Sequence, residues 1–415
     1  MLSKTDSLEG DTETMKQTCL IAASVPGSPG VDGVFLRDML DVPGITPVSL
    51  AAMQSNQKWL QTPLRHVDST IAITPPNEWY TTERHNALTL PQRYCRHRFR
   101  FGKQLQQQLQ HINTFIRQRD PEQLWVVLNS IGMIDLASMI SDSFPGTLIT
   151  QVWDDPIHLC KQRQIDRFNR SRTLSRFRQL LQRSSRIGVI CEEAASSYEG
   201  QTNAAMHIVR HGLPGKSVGP RLESDHPGEF HIGFSGSLYA KDAWQSLHRA
   251  LDSIDWQLAG RQVVLVVTGS QVQFRSKSTA KCLFYGWRNQ DDLQRLLGSC
   301  DCLYLPQPFS AGQVELAKLS FPTKLSSYVA TGRPVFVHSP QYSSVSRFCE
   351  EHSMGVVCQS LAPESVVSQL QSLACDSSYY RDQAESSARV ANEVLSYDAF
   401  ASGVRGMLGV SEVVS

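Results

Sequence analysis

Short runs of consecutive apolar residues alternate along the chain with longer stretches whose apolar residues recur every three or four positions. The short runs lack the polar alternation of a half-exposed strand, so they predict strands covered on both faces, as in a parallel sheet. The longer stretches, such as "SRFRQLLQRSS" and "QDDLQRLLGS", predict crossover helices. The predicted strands are TCLIAAS, TIAITP, QLWVVLNS, TLITQVWDD, IGVICEE, MHIVRHGL, FHIGFSGSL, QVVLVVTGS, CLFYGW, CDCLYLP, RPVFVHS and MGVVC.

A stretch rich in proline, glycine and charge, "PGKSVGPRLESDHPGE" at 214–229, divides these strands into two series. It has no apolar period and therefore predicts a linker. The pattern predicts an α/β protein of two Rossmann-like, doubly wound domains facing a cleft, with ligands outside the carboxyl ends of the strands. The predicted segments are a polar tail at 1–17, an N-terminal domain at 18–214, a linker at 215–229, a C-terminal domain at 230–392 and a last helix in 393–415 that packs back on the N-terminal domain.

Length and composition agree with two soluble domains. The 415 residues suffice for two domains of about 200 residues each. The formal net charge of +1 gives no overall attraction to nucleic acid or membranes, so an electrostatic partner must bind a local patch. Ten cysteines without a CxxC pair favour reduced, buried thiols over disulfides or a metal site. No signal peptide and no run of about 18 apolar residues is found, which predicts a cytoplasmic protein.

A glycine turn in the second series precedes a lysine at the start of a helix. The predicted strand "FHIGFSGSL" ends at Gly236 and Ser237, and Lys241 begins the helix that follows. Backbone N–H groups at a helix N-terminus attract anions, and a lysine beside them can neutralise a phosphate. The alternative is a solvated lysine at an ordinary helix start.

The segment "SFPTKLSSYVATGRPV", residues 320–335, has the same organisation. Ser320 or Thr323 is predicted to cap a helix that begins near Lys324, and Gly332 to end it in the left-handed conformation. The first-turn N–H groups would then face the cleft beside the lysine. The alternative is a helix–turn–strand unit with a structural role only.

Trp287 follows a third predicted strand of this series, in "CLFYGWRNQ". At the carboxyl end of a strand, a nucleobase can stack on the indole or bond to the neighbouring backbone. The alternative is a tryptophan packed under a loop.

Two carboxylates and an imidazole follow a strand of the first series, in "QVWDDPIHLCKQR". Asp154, Asp155 and His158 are candidates to orient an acceptor hydroxyl or to take its proton. The alternative for Asp155 is that it caps the helix that begins at Pro156.

Arginine and aromatic residues interleave in two basic stretches, at 93–103 and 161–178. Such a face can rest on anionic lipid at the inner side of a membrane. The alternative is a solvated basic helix. No nucleic-acid-binding module accompanies these stretches, so no nucleic-acid partner is expected.

Residues 230–400 resemble the retaining GT-B glycosyltransferases called glycosyl transferases group 1. The resemblance lies, in order, in the glycine turn with Lys241, in "VVLVVTGS", in "LFYGWRNQDDLQRLLGSCDCLYLP" and in "SFPTKLSSYVATGRPV". The last segment is similar to the family pattern of Pro, x, Lys, three residues, Tyr, then Gly and Pro-Val. The first half is similar in a glycine-rich turn, "SVPGSPGVDGVFLRDML", and in the approach to the linker.

The resemblance implies transfer of a hexose from a nucleoside diphosphate sugar to a glycan, lipid-linked or small-molecule acceptor, with retention and without an obligatory metal or other cofactor. The C-terminal domain would bind the donor and the N-terminal domain the acceptor. Donor-binding roles would fall to the following residues: Gly30, Gly33, Gly236, Ser237, Lys241, Trp287, Ser320, Thr323, Lys324 and Ser327.

The chain departs from the family pattern at three positions. The family's pair of glutamates falls on Leu319 and Ser327, and the arginine that accompanies the diphosphate lysine appears as Ser237. Ser327 can still bond a ribose hydroxyl, but without a charge. Two alternatives to a transferase are a degenerate GT-B protein acting as a partner subunit and a sugar-nucleotide epimerase.

Overall fold

The computed structural model describes residues 17–53, 64–73, 90–213, 215, 218–269 and 281–410. Apart from Gln17, the predicted tail at 1–17 lies outside these ranges, as do residues 411–415. Every predicted strand run contains a strand. Seven of the ten cysteines are buried and Cys282 is half-buried, whereas Cys95 and Cys375 are exposed, so the prediction of burial is wrong for these two.

The first half of the chain forms a seven-stranded parallel sheet in the order β3-β2-β1-β4-β5-β6-β7. Its strands are β1 (Thr18–Ala22), β2 (Val48–Met53), β3 (Val67–Ile73), β4 (Gln123–Leu128), β5 (Thr147–Val152), β6 (Arg186–Val189) and β7 (Ala205–Ile208). The helices are α1 (Val31–Leu40), α2 (Leu90–Cys95), α3 (Gly102–Arg119), α4 (Ile131–Ser141), α5 (Pro156–Gln162), α6 (Arg167–Arg183) and α7 (Glu192–Glu199), with a π-helix, Arg96–Phe101, between α2 and α3. β1 and β4 are buried along their whole length, which explains their unbroken apolar sequences.

The second half forms another sheet, in the order β11-β10-β8-β12-β13-β14, with β9 antiparallel to β10. Its strands are β8 (Glu229–Gly236), β9 (Gln257–Leu258), β10 (Arg261–Gly269), β11 (Lys281–Gly286), β12 (Cys302–Pro306), β13 (Val335–His338) and β14 (Val356–Cys358). The helices are α8 (Lys241–Ser253), α9 (Gln290–Gly298), α10 (Val314–Leu319), α11 (Lys324–Val329), α12 (Ser344–Glu351), α13 (Pro363–Cys375), α14 (Ser377–Glu393) and α15 (Tyr397–Leu408), with a 3₁₀ turn, Ala311–Gln313, before α10.

In each sheet the strand order reverses at one point, between β1 and β4 in the first and between β8 and β12 in the second. Loops after the two strands at such a point diverge and leave a crevice at the carboxyl edge of the sheet. The residues that follow β1, β4, β8 and β12 are therefore the ones that the topology makes available to a ligand.

The last helix, α15, lies on the first sheet although it follows the second one in the chain. Arg186 of β6 donates a hydrogen bond from Nε to the carbonyl of Met407, 2.8 Å away. A Cβ added to Gly188 would lie 2.2 Å from the Sδ of Met407, so the helix packs directly on the strand backbone. The C-terminal segment thus ties the two halves of the molecule together.

The segment before β8, residues 218–228 (the inter-sheet segment), is fastened to the second sheet by Arg333, whose side chain is only 1% exposed. Its Nη1 donates to the carbonyl of Glu223 at 2.6 Å, and its Nη2 lies 3.4 Å from a carboxylate oxygen of Asp225. Gly332, with φ of 70°, lies beside the same segment, and a Cβ there would come 2.1 Å from the carbonyl oxygen of Gly219. The Gly-Arg pair after α11 therefore holds the inter-sheet segment in place.

Candidate functional site

Lys324 reaches the glycine turn at the end of β8. Its Nζ donates to the carbonyl of Ser237 at 3.3 Å and lies 4.5 Å from the ring centre of Phe234 and 5.4 Å from that of Tyr239. Burial lowers the pKa of Lys324 to about 8. The turn requires glycine at its first position because Gly236 has φ of 86°. The structure thus brings together three residues of the predicted donor site.

The capping predictions for α11 are wrong. Thr323 has helical backbone angles, φ −55° and ψ −26°, and its side chain makes no capping hydrogen bond. Ser320 instead ends α10, and its carbonyl accepts a hydrogen bond from the hydroxyl of Ser344. The prediction that Gly332 takes the left-handed conformation is confirmed. Donor-binding roles for Ser320 and Thr323 stay predictions.

Ser327 lies half-buried within α11, next to a tyrosine that braces the same turn of β8. The carbonyl of Ser327 accepts a hydrogen bond from the amide of Gln294 at 2.9 Å. The hydroxyl of Tyr328 accepts the backbone N–H of Ser235 at 2.8 Å. The short helix is therefore anchored to β8 one residue before the glycine turn, and a ribose contact by Ser327 stays a prediction.

Lys241 and Trp287 follow β8 and β11 at the carboxyl edge of the second sheet. Lys241 is exposed and is the first residue of α8, as predicted. Trp287 is 77% exposed directly after β11. The alternative of a tryptophan packed under a loop is therefore wrong, and a flat aromatic surface is open to solvent at this edge.

The structure explains glycine at positions 30 and 33, after β1, by different reasons. Gly30 has φ of 117°, and a Cβ there would meet no described atom within 4 Å. A Cβ on Gly33 would lie 2.2 Å from the carbonyl oxygen of Ser28 and 2.5 Å from its Oγ. The close contact at Gly33 comes from the loop itself, and donor-binding roles for Gly30 and Gly33 stay predictions.

An acidic cluster lies at the point where the first sheet reverses its strand order. Asn129, after β4, donates from Nδ2 to an oxygen of Asp32, in the first turn of α1, at 2.7 Å. Burial, together with the negative charges of Asp32 and Asp155, raises the pKa of Asp154, after β5, to about 6. Burial also raises the pKa of Asp32, which the hydrogen bond from Asn129 partly offsets. Asp154 can therefore hold or release a proton near neutral pH.

Asp32 and Asn129 were not predicted as site residues. The sequence signal was their position, since each follows one of the two strands, β1 and β4, between which the order of the first sheet reverses.

Asp155 is the cap of α5 rather than a free carboxylate. One oxygen accepts the backbone N–H groups of Ile157 at 2.8 Å and His158 at 3.1 Å, and the other accepts the hydroxyl of Tyr198 at 3.0 Å. The side chain is 6% exposed. The catalytic prediction for Asp155 is therefore replaced by the capping alternative, since both oxygens already accept protein hydrogen bonds.

His158 lines a cavity of about 220 Å³ between the two halves of the molecule. Burial lowers the pKa of His158, and its Nδ1 has no hydrogen-bond partner within the described part of the chain. Tyr239, which Lys324 contacts, forms part of the opposite wall and connects this cavity to the glycine turn. The lining residues are Asn129, Ser130, Ile131, Asp154, His158, Leu159, Gln162, Arg163, Tyr239 and Leu316.

An ion pair joins the two halves beside this cavity. Nζ of Lys161, on α5, lies 2.6 Å and 2.8 Å from the two carboxylate oxygens of Glu315, on α10. Glu315 stands four residues from the position of the family's first glutamate. It serves here as the partner of a lysine from the other half of the molecule.

The two basic stretches are only partly exposed to solvent. Phe99 in the π-helix and Phe168 in α6 are 65% and 56% exposed, and the guanidinium of Arg167 lies 4.6 Å from the ring centre of Phe168. Other arginines of α6 face inward, since Arg176 lies 3.0 Å from buried Asp135. Part of the positive charge of α6 therefore compensates a buried carboxylate.

Comparison with solved structures identifies the architecture. Sucrose-phosphate synthase from Thermosynechococcus elongatus superposes with a TM-score of 0.64 at 12% identity, over 93% of this chain and 96% of that one. The Anabaena protein HepE in complex with UDP-glucose superposes with a TM-score of 0.62 at 11% identity, over 94% and 99%. The chain has a GT-B fold. WaaG, a glycosyltransferase involved in lipopolysaccharide biosynthesis, gives a TM-score of 0.57 at 11% identity, over 95% and 100%.

No protein-family model matches the chain, and no curated protein matches it significantly. The predicted GT-B architecture is confirmed by the superpositions. In the ranges that the structure describes, no helix has both the length and the apolar character to cross a membrane.

Proposed function

We propose that this protein is a glycosyltransferase that moves a hexose from a nucleoside diphosphate sugar to a glycan, lipid-linked or small-molecule acceptor. The observation that supports this proposal is that Tyr239 belongs both to the glycine turn and to the cavity. It is contacted by Lys324 at the glycine turn, and it lines the cavity that holds Asp154 and His158. A donor held by its diphosphate at the turn would thus present its sugar to the cavity.

The donor side of this proposal rests on a half-buried cation at a backbone turn. Nζ of Lys324 has a carbonyl and two aromatic faces around it, and among the described residues no carboxylate forms an ion pair with it. A diphosphate would supply the missing negative charge. Lys241 and exposed Trp287 lie at the same edge of the sheet and would bind phosphate and base, respectively. HepE, which shares the fold, is known in complex with UDP-glucose.

The acceptor side rests on the acidic cluster. Asp154, with its raised pKa, would accept a hydrogen bond from the acceptor hydroxyl, beside the hydrogen-bonded pair of Asp32 and Asn129. The acceptor oxygen forms a bond to the anomeric carbon, while the bond from that carbon to the diphosphate breaks. The hydroxyl proton passes to the leaving phosphate, so no strong base is needed. The acceptor would attack from the face that the diphosphate leaves, so the configuration would be retained. We propose no cofactor in this reaction.

The donor test is a thermal-shift panel of UDP, GDP, ADP and CMP, each with and without its common sugars. A ligand that binds only the folded state stabilises it by about 2.7 kcal/mol at a hundredfold excess over its dissociation constant. We expect one nucleoside diphosphate to raise the melting temperature clearly. In the absence of acceptor, we expect the corresponding nucleotide sugar to release its sugar slowly. No shift with any nucleotide, from folded protein, would argue for a partner subunit instead.

For the acceptor, a lipid-linked class is supported by the exposed aromatic and basic residues of the first half. Phe99, Phe168 and Arg167 would rest on anionic lipid, with the rings at the level of the headgroups. We expect co-sedimentation with phosphatidylglycerol vesicles but not with phosphatidylcholine vesicles, and its loss in the double variant Phe99→Ala, Phe168→Ala. Equal sedimentation of the variant, or none of the wild type, would contradict this contact.

A further inference from the structure

A cluster of two histidines and a glutamate lies far from the cleft, where the inter-sheet segment enters β8. We propose that His226, Glu229 and His231 bind one divalent transition-metal ion of the zinc class. Nitrogen and carboxylate donors of this kind are the common protein ligands of Zn²⁺. One ligand atom from each residue lies within 4.8 Å of the other two. The ion would fasten the inter-sheet segment to the second sheet.

Local backbone geometry explains why these three side chains meet. His226, Pro227, Gly228 and Glu229 form a tight turn in which the N–H of Glu229 donates to the carbonyl of His226 at 3.1 Å. Proline at the second position and glycine with φ of 84° at the third are the residues that a type II turn prefers. Glu229 and His231 are two residues apart in β8, so their side chains leave the same face of the sheet. Turn and strand together fix the donor set.

The donors already contact one another. Nε2 of His231 lies 2.7 Å from a carboxylate oxygen of Glu229, and the rings of His226 and His231 stack with centres 3.8 Å apart and planes 12° apart. A tetrahedral zinc ion separates its donors by about 3.3 Å. The longest separation must therefore shorten by at most about 1.5 Å. His226 is half-buried at the first position of the turn and can supply this movement.

The backbone beneath His231 is held in place independently of any ion. Its N–H donates to the carboxylate of buried Asp301 at 2.7 Å, and its carbonyl accepts the N–H of Asp301 at 2.9 Å. Such support around a ligand orients it for a metal. Lys281 of β11 pairs with the other oxygen of Glu229 and competes with a cation for that carboxylate.

The proposed site is separate from the nucleotide site. Glu229 begins β8 and Gly236 ends it, and eight residues of strand span about 23 Å. The proposed ion therefore takes no part in the transfer reaction. Its effect falls on the inter-sheet segment, which Arg333 already holds at Glu223 and Asp225.

The test is calorimetric titration of Zn²⁺ into the full, tag-free chain in which exposed Cys95 and Cys375 are changed to serine. We expect one ion per chain. His226→Ala and Glu229→Gln should each weaken binding by about 10- to 100-fold or more, since the loss of outer-shell partners alone has that effect. His111→Ala, which removes an exposed histidine on α3, is the matched control and should bind as the wild type does.

Two further measurements identify the donors. Co²⁺ should give the visible absorption of a four- or five-coordinate nitrogen–oxygen site in the wild type and not in His226→Ala. Lys281→Ala should bind Zn²⁺ more tightly, because the competing ammonium is gone. No stoichiometric ion in the wild type, or equal affinity in His226→Ala, would overturn the proposal. The nucleotide shift of His226→Ala should equal that of the wild type, which keeps this test independent of the proposed transferase function.

Discussion

The ammonium group of Lys324 lies 3.3 Å from the carbonyl oxygen of Ser237, and so joins the start of α11 to the turn that ends β8. The two residues are 87 positions apart in the chain and are brought together by the crossover from β8 to β12 and the helices that follow. One carbonyl is weak compensation for a cation that burial already destabilises. A bound anion would therefore stabilise this arrangement.

Replacing Lys324 with alanine should weaken binding of the preferred nucleoside diphosphate by about 10- to 100-fold, since hydrogen bonds to charged groups contribute roughly 1.5 to 3 kcal/mol. The melting temperature without ligand should fall little, because removing a half-buried ammonium also removes the unfavourable free energy of its desolvation. Calorimetric titration measures the affinity. Lys318→Ala, an exposed lysine at the end of α10, is the control. Equal affinity in Lys324→Ala would remove this lysine from the donor site.

Asp154 should make the folded protein less stable as the pH rises from about 4 to 6. Its folded pKa, about 6, is above its ordinary value of 3.8, so in this window the folded state binds more protons than the unfolded state. Stability then falls with rising pH, by up to about 3 kcal/mol in total. Asp154→Asn should abolish this component and raise the free energy of unfolding at pH 7. Urea unfolding at pH 4.5, 5.5 and 7 measures it.

The same substitution should lower kcat by about 100- to 10,000-fold if the carboxylate orients or deprotonates the acceptor hydroxyl. Asp142→Asn, at the exposed end of α4, is the matched control and should change neither property. An Asp154→Asn variant that is more stable than the wild type but inactive would show that the carboxylate serves catalysis and not folding. A variant Asp154→Asn with full activity would assign the acceptor role elsewhere in the cavity.

Arg333 is expected to be a major contributor to stability because it holds the inter-sheet segment from a buried position. Arg333→Ala leaves the carbonyls of Gly298 and Glu223 without their donor and should lower the free energy of unfolding by about 3 kcal/mol. Arg333→Lys should recover little of this stability, since an ammonium group cannot reproduce the planar arrangement of the guanidinium N–H donors. Arg381→Ala, at an exposed site on α14, is the control. A loss below that of Arg381→Ala would contradict this role.

The sequence predicted the sheets well because most strands are buried on both faces and therefore read as unbroken apolar runs. β2, "VSLAAM", was not predicted, since serine and alanine weaken its strand signal although Leu50 and Ala51 are fully buried. Two-residue β9 is too short to have any period.

The candidate site was predicted only in part. Asp154 and Lys324 could be named from the sequence, one from its place after a strand and the other from a motif. The bond between Asp32 and Asn129 could not be predicted, because these residues are 97 positions apart and meet only through the order of the strands. Asp155 shows a different limit, since its position could be named from the sequence but its role could not. A carboxylate before a proline has the same sequence whether it caps a helix or serves a substrate.

Gly33→Ala tests whether the loop after β1 is shaped by its own packing. The new Cβ would lie 2.2 Å from the carbonyl oxygen of Ser28, so the loop must open, which should cost about 1 to 3 kcal/mol. Ser28→Gly should not rescue the variant, since the collision is with backbone. Gly102→Ala, at a helical position with open space, should instead stabilise by about 0.5 to 1 kcal/mol. Urea unfolding compares the variants. A fully stable Gly33→Ala with impaired nucleotide binding would show that the ligand, and not Ser28, requires glycine there.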